Sequence, residues 1–532
     1  MKLSRKIKLI LFIVMLLFLP VFGVYSKYKI TSSTMLVANI DIDIPIGVFA
    51  KLYDTDNDGI GDKLVLNNTP YFTSSGTLIT NYSNKDHKDI GGYNKCSWFS
   101  NRYNIKHVEI LHEIKPTTIS CWFYSMSYLE DIENFSYLNV SDVTDMSSAF
   151  FSCKSLNSLD VSDWDTSKVT NMSSLFFGLY VPELDVSKWN TSSVTNMSQL
   201  FLGCSEVTEL DVSDWNTSNV TNMSGLFELC KKVTELDVSK WNTSNVTNME
   251  DLFWGCESIN SFDVTRWDTS NVTNMRGLFA GCHKLTNLDV THFNTSNVTI
   301  MSNVFSSCYL LNTIDITTWD TSNVILMGGF FSNCTGLTSI DLTHFNTSKV
   351  TNMSAFFEEC ENLTEIDVSS FDTSSVTKMS TMFQNCYELT TIYASNSFVT
   401  TNVTDSSEMF TNSSKIVGGN GTTYTYSKRD HNMARIDKFL IPGYFTEKPS
   451  GTRALSMTFV HEDENNTIQE ISETKNIENE ETKVIEENTE DEQEESNSIA
   501  QNNVLETDNN VVTNEEIVDV ENSETNEIEF ES

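Results

Sequence analysis

The stretch Val220-Thr-Asn-Met223-Ser-Gly225-Leu226-Phe227-Glu-Leu229-Cys230-Lys-Lys-Val233-Thr-Glu-Leu236-Asp237-Val238-Ser-Lys240-Trp241-Asn-Thr-Ser-Asn245 is one copy of a unit that fills the middle of this chain. Its methionine recurs at Met146, Met172, Met197, Met223, Met249, Met275, Met301, Met327, Met353 and Met379. Every step is 26 residues except that from Met172 to Met197, which is 25. A phenylalanine follows each methionine at the fourth position, from Phe150 to Phe383. A fixed period of this size marks a stacked array, in which each unit buries its apolar side only against its neighbours.

Within one copy, Met223, Leu226, Phe227 and Cys230 fall at i, i+3, i+4 and i+7, which predicts one face of a short helix capped by Thr221 or Asn222. Many copies carry glycine just before the cysteine (Gly178, Gly203, Gly255, Gly281), near the expected helix end. In Leu236-Asp237-Val238 the apolar residues point one way and Asp237 the other, a short strand with one buried face. The spacing follows the leucine-rich pattern L-x-x-L-x-L-x-x-N, with Trp or Phe in the last place. The expectation is an α/β solenoid of about eleven coils. It would be a right-handed superhelix with short parallel strands on the concave face and short helices on the other, because strands stack more closely than helices.

Around this array the composition changes three times. Residues 1–26 read as a signal peptide or signal anchor: Lys2, Arg5, Lys6 and Lys8 precede the apolar run 9–24, which is short for a membrane span. Residues 27–102 are not repetitive. There Ile40, Ile42, Ile44 and Ile46 alternate as in a strand, and Leu52 with Leu64-Val-Leu66 suggests a hairpin. The solenoid with its caps spans 103–446, entered through a degenerate coil carrying Ile105, Val108, Ile110, Trp122, Phe123 and Leu129. The remainder, 447–532, reads as an acidic disordered tail. Residues 451–532 hold 25 acidic and 3 basic side chains, a large part of the net charge of −39. Such a charge argues against nucleic acid and anionic membrane surfaces as electrostatic partners of the whole chain.

The copy around Val272-Thr-Asn-Met275, Phe279, Cys282, Leu285, Leu288-Asp289-Val290 and Thr295-Ser296 resembles the bacterial surface-protein family with 26-residue leucine-rich-like repeats, called BspA-like. The resemblance covers roughly residues 95–446. It implies an exported or surface-exposed protein, with adhesion or host and matrix binding proposed for some members, and names no ligand. The chain lacks the lipid-attachment cysteine and the Leu-Pro-x-Thr-Gly sorting signal of many relatives.

Nine of the eleven cysteines share one repeat position, from Cys153 to Cys386, and Leu179 replaces them in the short repeat. That exchange indicates buried thiols used for packing rather than disulfides or zinc. Cys96 and Cys121 stand outside the row, and their pairing is open. Asp237, Asp263 and Asp289 belong to a column of aspartates on the expected concave face. Carboxylates about 5 Å apart repel; the column needs hydrogen bonds from neighbouring Ser, Thr or backbone groups, a cation, or a ligand. Three residues on, a second column reads Asp163, Lys188, Asp214, Lys240, Arg266, His292, Thr318, His344, Ser370. Its variability makes Lys188, Lys240, Arg266, His292 and His344, with the three aspartates, the candidate ligand-binding set. Asp54, Asp56, Asp58 and Asp62 are spaced like a calcium loop, although Val65 stands where an EF-hand glutamate would; an Asp/Gly-rich turn is the competing reading.

No nucleophile elbow, zinc-protease or P-loop motif is present. No catalytic residue is assigned, and calcium is the one cofactor considered. The function expected is a secreted or cell-surface adhesion module, binding a protein or glycan on host, matrix or a neighbouring cell through the concave face. Membrane association is expected only through an uncleaved N-terminal segment. A glycan-active enzyme using concave carboxylates and a structural envelope spacer are the alternatives.

Overall fold

The computed structural model of the chain describes residues 47–82 and 86–448, and the backbone of the two-residue strands β1 (Ser26–Lys27) and β2 (Asp41–Ile42), which pair antiparallel. The export segment, most of the isoleucine alternation and the acidic tail lie outside the described residues. Strands β3 (Phe49–Asp54) and β4 (Lys63–Asn67) form the expected hairpin, with Leu52 opposite Leu64. Strand β5 (Thr77–Asn81) flanks β3. On the other side, β6 (His107–Ile110) and β7 (Asp131–Glu133) add in parallel, bringing Leu64, Val108 and Ile132 into one row. This five-stranded sheet hands its apolar face to the first coils. At the far end β8 (Glu365–Asp367), β9 (Thr391–Ala394) and β10 (Phe445–Glu447) pair in parallel. One continuous core runs between the two sheets: the Met, Phe, Cys, Leu, Val and Trp or Phe positions of every coil are buried.

The short helices are absent: among the described residues there is no α-helix, and the longest helical piece is a three-residue 3-10 turn. Met223, Leu226, Phe227 and Cys230 are fully buried, so the face was read correctly and the backbone was not. Gly225 and Leu229 both have φ of +59°, and the pair recurs in other copies, as at Asp251 with Gly255 and Gly277 with Gly281. A left-handed residue every fourth position breaks the helix. Amides then alternate. Leu226, Glu228 and Cys230 donate three residues back, to Met223, Gly225 and Phe227, at 3.0–3.2 Å. Met223, Gly225, Phe227 and Leu229 donate instead to Asn248, Glu250, Leu252 and Trp254 of the next coil, at 2.7–3.1 Å. The reason is spacing. Packed helices need about 8–10 Å between axes, and paired strands about 4.8 Å. Phe227 stacks on Phe201 and Phe253 at 5.7 and 5.9 Å, which leaves no room for a helix in each coil.

Backbone pairing also runs on a second side, which the spacing did not predict. Parallel bridges run through the residue before each methionine, Asn196 to Asn222 to Asn248 to Asn274, on the side where helices were expected. Regular pairing on the Leu-Asp-Val side occurs at the ends of the array. Between them that side is held apart by stacked aromatic rings, Phe345 and Phe371 at 6.4 Å among them. Trp189, Trp215, Trp241 and Trp267 stack at 6.3–6.4 Å, wider than a strand spacing. Each indole also takes a carbonyl that a strand ladder would use: Trp241 Nε1 donates to Val212 of the preceding coil at 3.2 Å, and Trp267 Nε1 to Val238 at 3.2 Å.

Side chains complete the stitching. A buried threonine column, absent from the sequence reading, donates to the next coil: Thr217 Oγ1 to Asn242 O and Thr243 Oγ1 to Asp268 O, both at 2.9 Å. The cysteines point the other way, Cys230 Sγ to Phe201 O at 3.3 Å and Cys256 Sγ to Phe227 O at 3.3 Å. All nine of the row are buried free thiols, as expected from Leu179. Burial pushes Cys204, Cys334 and Cys386 up to about 12, so no thiolate is available to metal or electrophile. Cys121 is a free thiol too, and Cys96 Sγ donates to Ile90 O, so the two do not pair.

At Phe371, which stands in the tryptophan position, the residue before it takes over the carbonyl: Ser370 Oγ donates to Leu342 O at 2.9 Å. Trp241→Phe should therefore destabilise the chain by about 1–3 kcal/mol through the unpaired Val212 carbonyl and the lost ring volume. Adding Lys240→Ser should recover part of that loss in a urea titration, whereas Lys240→Ala should not.

Candidate functional site

The two columns singled out in the sequence stand together on the exposed Leu-Asp-Val face. Its aspartates are not bare. Asp237 Oδ1 accepts the Ser239 hydroxyl at 2.6 Å and the Ser239 amide at 3.1 Å. Asp263 does the same with Thr265, and Asp289 with Thr291, each hydroxyl at 2.7 Å. These hydroxyls, then the amides, hold all three carboxyls below the usual range. Each aspartate is thus a turn cap first, and these hydrogen bonds offset the coil-to-coil repulsion.

The neighbouring column divides into three kinds. Lys188 pairs with Asp163 at 3.6 Å and Lys240 with Asp214 at 2.9 Å, so the alternation of sign becomes ion pairs between adjacent coils. Asp214 also raises the Lys240 ammonium. Arg266 and His292 are exposed, and neither makes an ion pair among the described residues. They occupy the same place in successive coils, and the His292 ring stands edge-on to Phe293 at 5.1 Å. His344 is half-buried; burial lowers its pKa, and Nε2 has no hydrogen-bond partner. The candidate set therefore contracts to Arg266 and His292, framed by Asp263 and Asp289.

In the β3–β4 turn, Asp54, Asp56 and Asp58 converge, with carboxylate oxygens all within 4.8 Å of one another. Asp62 does not join them. Its oxygens accept the Thr55 amide at 2.9 Å and the Thr55 hydroxyl at 2.6 Å, closing the neck of the turn. Asp54 likewise accepts the amides of Asn57 and Gly59 at 2.7 and 2.9 Å. The turn reading accounts for Asp62, and the calcium reading keeps three of its four residues.

A family model described as "Mycoplasma protein of unknown function, DUF285" matches residues 100–181, 117–235, 177–262, 195–314, 255–340 and 330–433, most of the array and well over half of the chain. The chain is a BspA-like repeat protein. Among curated proteins none matches it. Of solved structures, a leucine-rich cell surface protein from Faecalibacterium prausnitzii A2-165 is 16% identical, covering 73% of this chain and 93% of its own, with a TM-score of 0.35. A leucine-rich repeat protein from Eubacterium ventriosum ATCC 27560 is also 16% identical, covering 69% and 94%, with a TM-score of 0.34.

On the opposite side of this BspA-like array the repeat loses its regularity around Glu228, Glu250, Asp251 and Arg276. Glu228 folds back over its own turn: a methyl at Gly225 would come within 2.8 Å of Glu228 Oε2. Burial first, then the charges of Asp251 and Glu250, push Glu228 up to about 8. Burial likewise pushes Asp251 up to about 6, with Arg276 opposing and Glu250 adding to the rise. Sequence gave no warning, because one acidic residue replaces one apolar or polar residue in a variable position. A carboxyl whose folded pKa exceeds the unfolded value of about 4.3 leaves stability intact at low pH and loses it as pH rises toward the folded pKa. Glu228→Gln should melt at the same temperature as the parent near pH 4 and higher than it at pH 8. Calorimetry across that range is the check.

Proposed function

We propose that this BspA-like protein is a binding module displayed outside the cell, with the Leu-Asp-Val face as its ligand surface. The observation that supports this reading most is the contrast within each coil. The buried positions repeat almost letter for letter, while the exposed column three residues after each aspartate changes from Asp to Lys to Arg to His. Packing does not require that variation. Arg266 and His292, exposed and without an ion pair, give the surface donors for a protein or glycan partner carrying carboxylate or hydroxyl groups. Catalysis is less well supported. Acid–base work on glycans needs two carboxyls in different environments, and Asp237, Asp263 and Asp289 are capped alike. Convergence of Asp54, Asp56 and Asp58 supports a calcium ion as an accessory at the N-terminal sheet.

A screen of the full chain against glycans and matrix proteins, with and without calcium, tests the reading. Arg266→Ala with His292→Ala should weaken the captured ligand about tenfold, while Lys188→Ala, whose side chain serves a neighbouring coil, should change it little. Equal binding by all variants would move the ligand to another face, and no binding at all would favour a spacer of the envelope. Asp56→Asn should abolish any calcium-dependent rise in melting temperature.

A further inference from the structure

The C-terminal cap presents an apolar point that the packing of the described residues does not use. Residues 438–441 form a tight turn closed by Lys438 N to Ile441 O at 3.0 Å and Ile441 N to Lys438 O at 2.8 Å. At its apex Phe439 is 87% exposed and Leu440 84%. Leu440 has φ of +69°, a conformation in which glycine or asparagine carries no such cost. Among the described residues a leucine there stabilises neither the turn nor the core, so its side chain is left for a contact beyond them.

The root of the turn is rigid. Asp437, 4% exposed, accepts the amides of Asn420 and Thr422 at 2.9 Å and the Thr422 hydroxyl at 2.7 Å. Tyr444 and Phe445, fully buried, close the phenylalanine column, with Phe410 and Tyr444 rings 5.3 Å apart. Arg435 Nε donates to Pro442 O at 2.9 Å and holds its guanidinium beside the turn. The apex is thus a fixed projection, not a loose loop.

Charge points to the occupant. Residues 411–448 carry 6 Lys or Arg against 3 Asp or Glu, in a chain with 34 against 73. Lys415, Arg429 and Lys448 pair with Glu388, Glu408 and Asp367. Lys428, Arg435 and Lys438 make no ion pair among the described residues. We propose that the Phe439-Leu440 apex inserts into an anionic lipid surface, with Lys438 and Arg435 at the level of the phosphates. Two bare apolar side chains on a convex apex with cations at its base suit the acyl and headgroup layers of a bilayer. The charge of the rest of the chain does not forbid this, since at physiological salt a field decays within about 8 Å.

The test uses the full chain with Leu440→Cys. All eleven native cysteines are buried, so an environment-sensitive dye reacts at the apex. On phosphatidylcholine vesicles containing phosphatidylglycerol its emission should shift to the blue, and the shift should shrink on phosphatidylcholine alone and at high salt. In co-sedimentation, Phe439→Ser with Leu440→Gly should lower partitioning at least about tenfold, with no loss of melting temperature because glycine suits the backbone at 440. Lys438→Gln should lower binding to the anionic vesicles about fivefold. An unshifted dye on anionic vesicles overturns the proposal and points to a protein cleft instead; so does equal partitioning of the double variant and its parent.

Discussion

A coil of 26 residues cannot satisfy its own backbone. Buried amides and carbonyls left unpaired each cost on the order of 1–3 kcal/mol. This chain meets the requirement by dividing the amides between two partners. Those of Met223, Gly225, Phe227 and Leu229 go forward to the next coil; those of Leu226, Glu228 and Cys230 close turns within their own. Every forward bond depends on the coil ahead being present and in register. A single coil therefore has no stable form, and the two ends need covers: a five-stranded sheet at one and the Tyr444-Phe445 cap at the other. The 25-residue coil keeps the same pattern, with Met172 donating to Asn196 and Phe176 to Leu200, so the change of length is absorbed outside this run of amides.

Around that backbone the polar side chains are used in columns, each pointing along the stack. Threonine hydroxyls donate forward and indole and thiol groups donate backward, so both neighbours of a coil are bonded through its buried corners. Asparagine and aspartate cap three turns per coil, as Asn222, Asp237 and Asn242 do for Ser224, Ser239 and Ser244. Few of these groups are left over for chemistry. The exposed positions that the columns do not claim include Arg266 and His292.

Much of this was legible. The period, the buried face formed by Met223, Leu226, Phe227 and Cys230, and the packing role of the thiols followed from spacing and from the Leu179 exchange. The backbone was misread for a definite reason. Positions i, i+3, i+4 and i+7 share a face in a helix, and they also share one in a chain of turns with a left-handed residue every fourth position. Glycine at 178, 203, 255 and 281 marks one of those left-handed positions, and a glycine there is equally compatible with a helix end. Gly225, Gly277 and Gly329 marked the other, but Asp251, Asn303 and Ala355 occupy it between them. The strand expected at Leu-Asp-Val forms at the ends of the array, as in Glu365–Asp367, and not as a continuous ladder between them, because nothing in Leu-Asp-Val reveals that aromatic stacking there sets a spacing too wide for regular pairing. For the site, variability identified the column, but which cations would be engaged by the coil behind depended on geometry: Lys240 reaches Asp214, and Arg266 has only Lys240 there.

The most direct test is the destination of the Phe227 amide. Trans-hydrogen-bond scalar couplings on deuterated, labelled protein report which carbonyl each amide bonds. A coupling from the Phe227 nitrogen to the Leu252 carbonyl carbon, one coil ahead, is the expected result. A coupling to the Met223 carbonyl carbon, four residues back, would restore the helix and contradict the stacked-turn account.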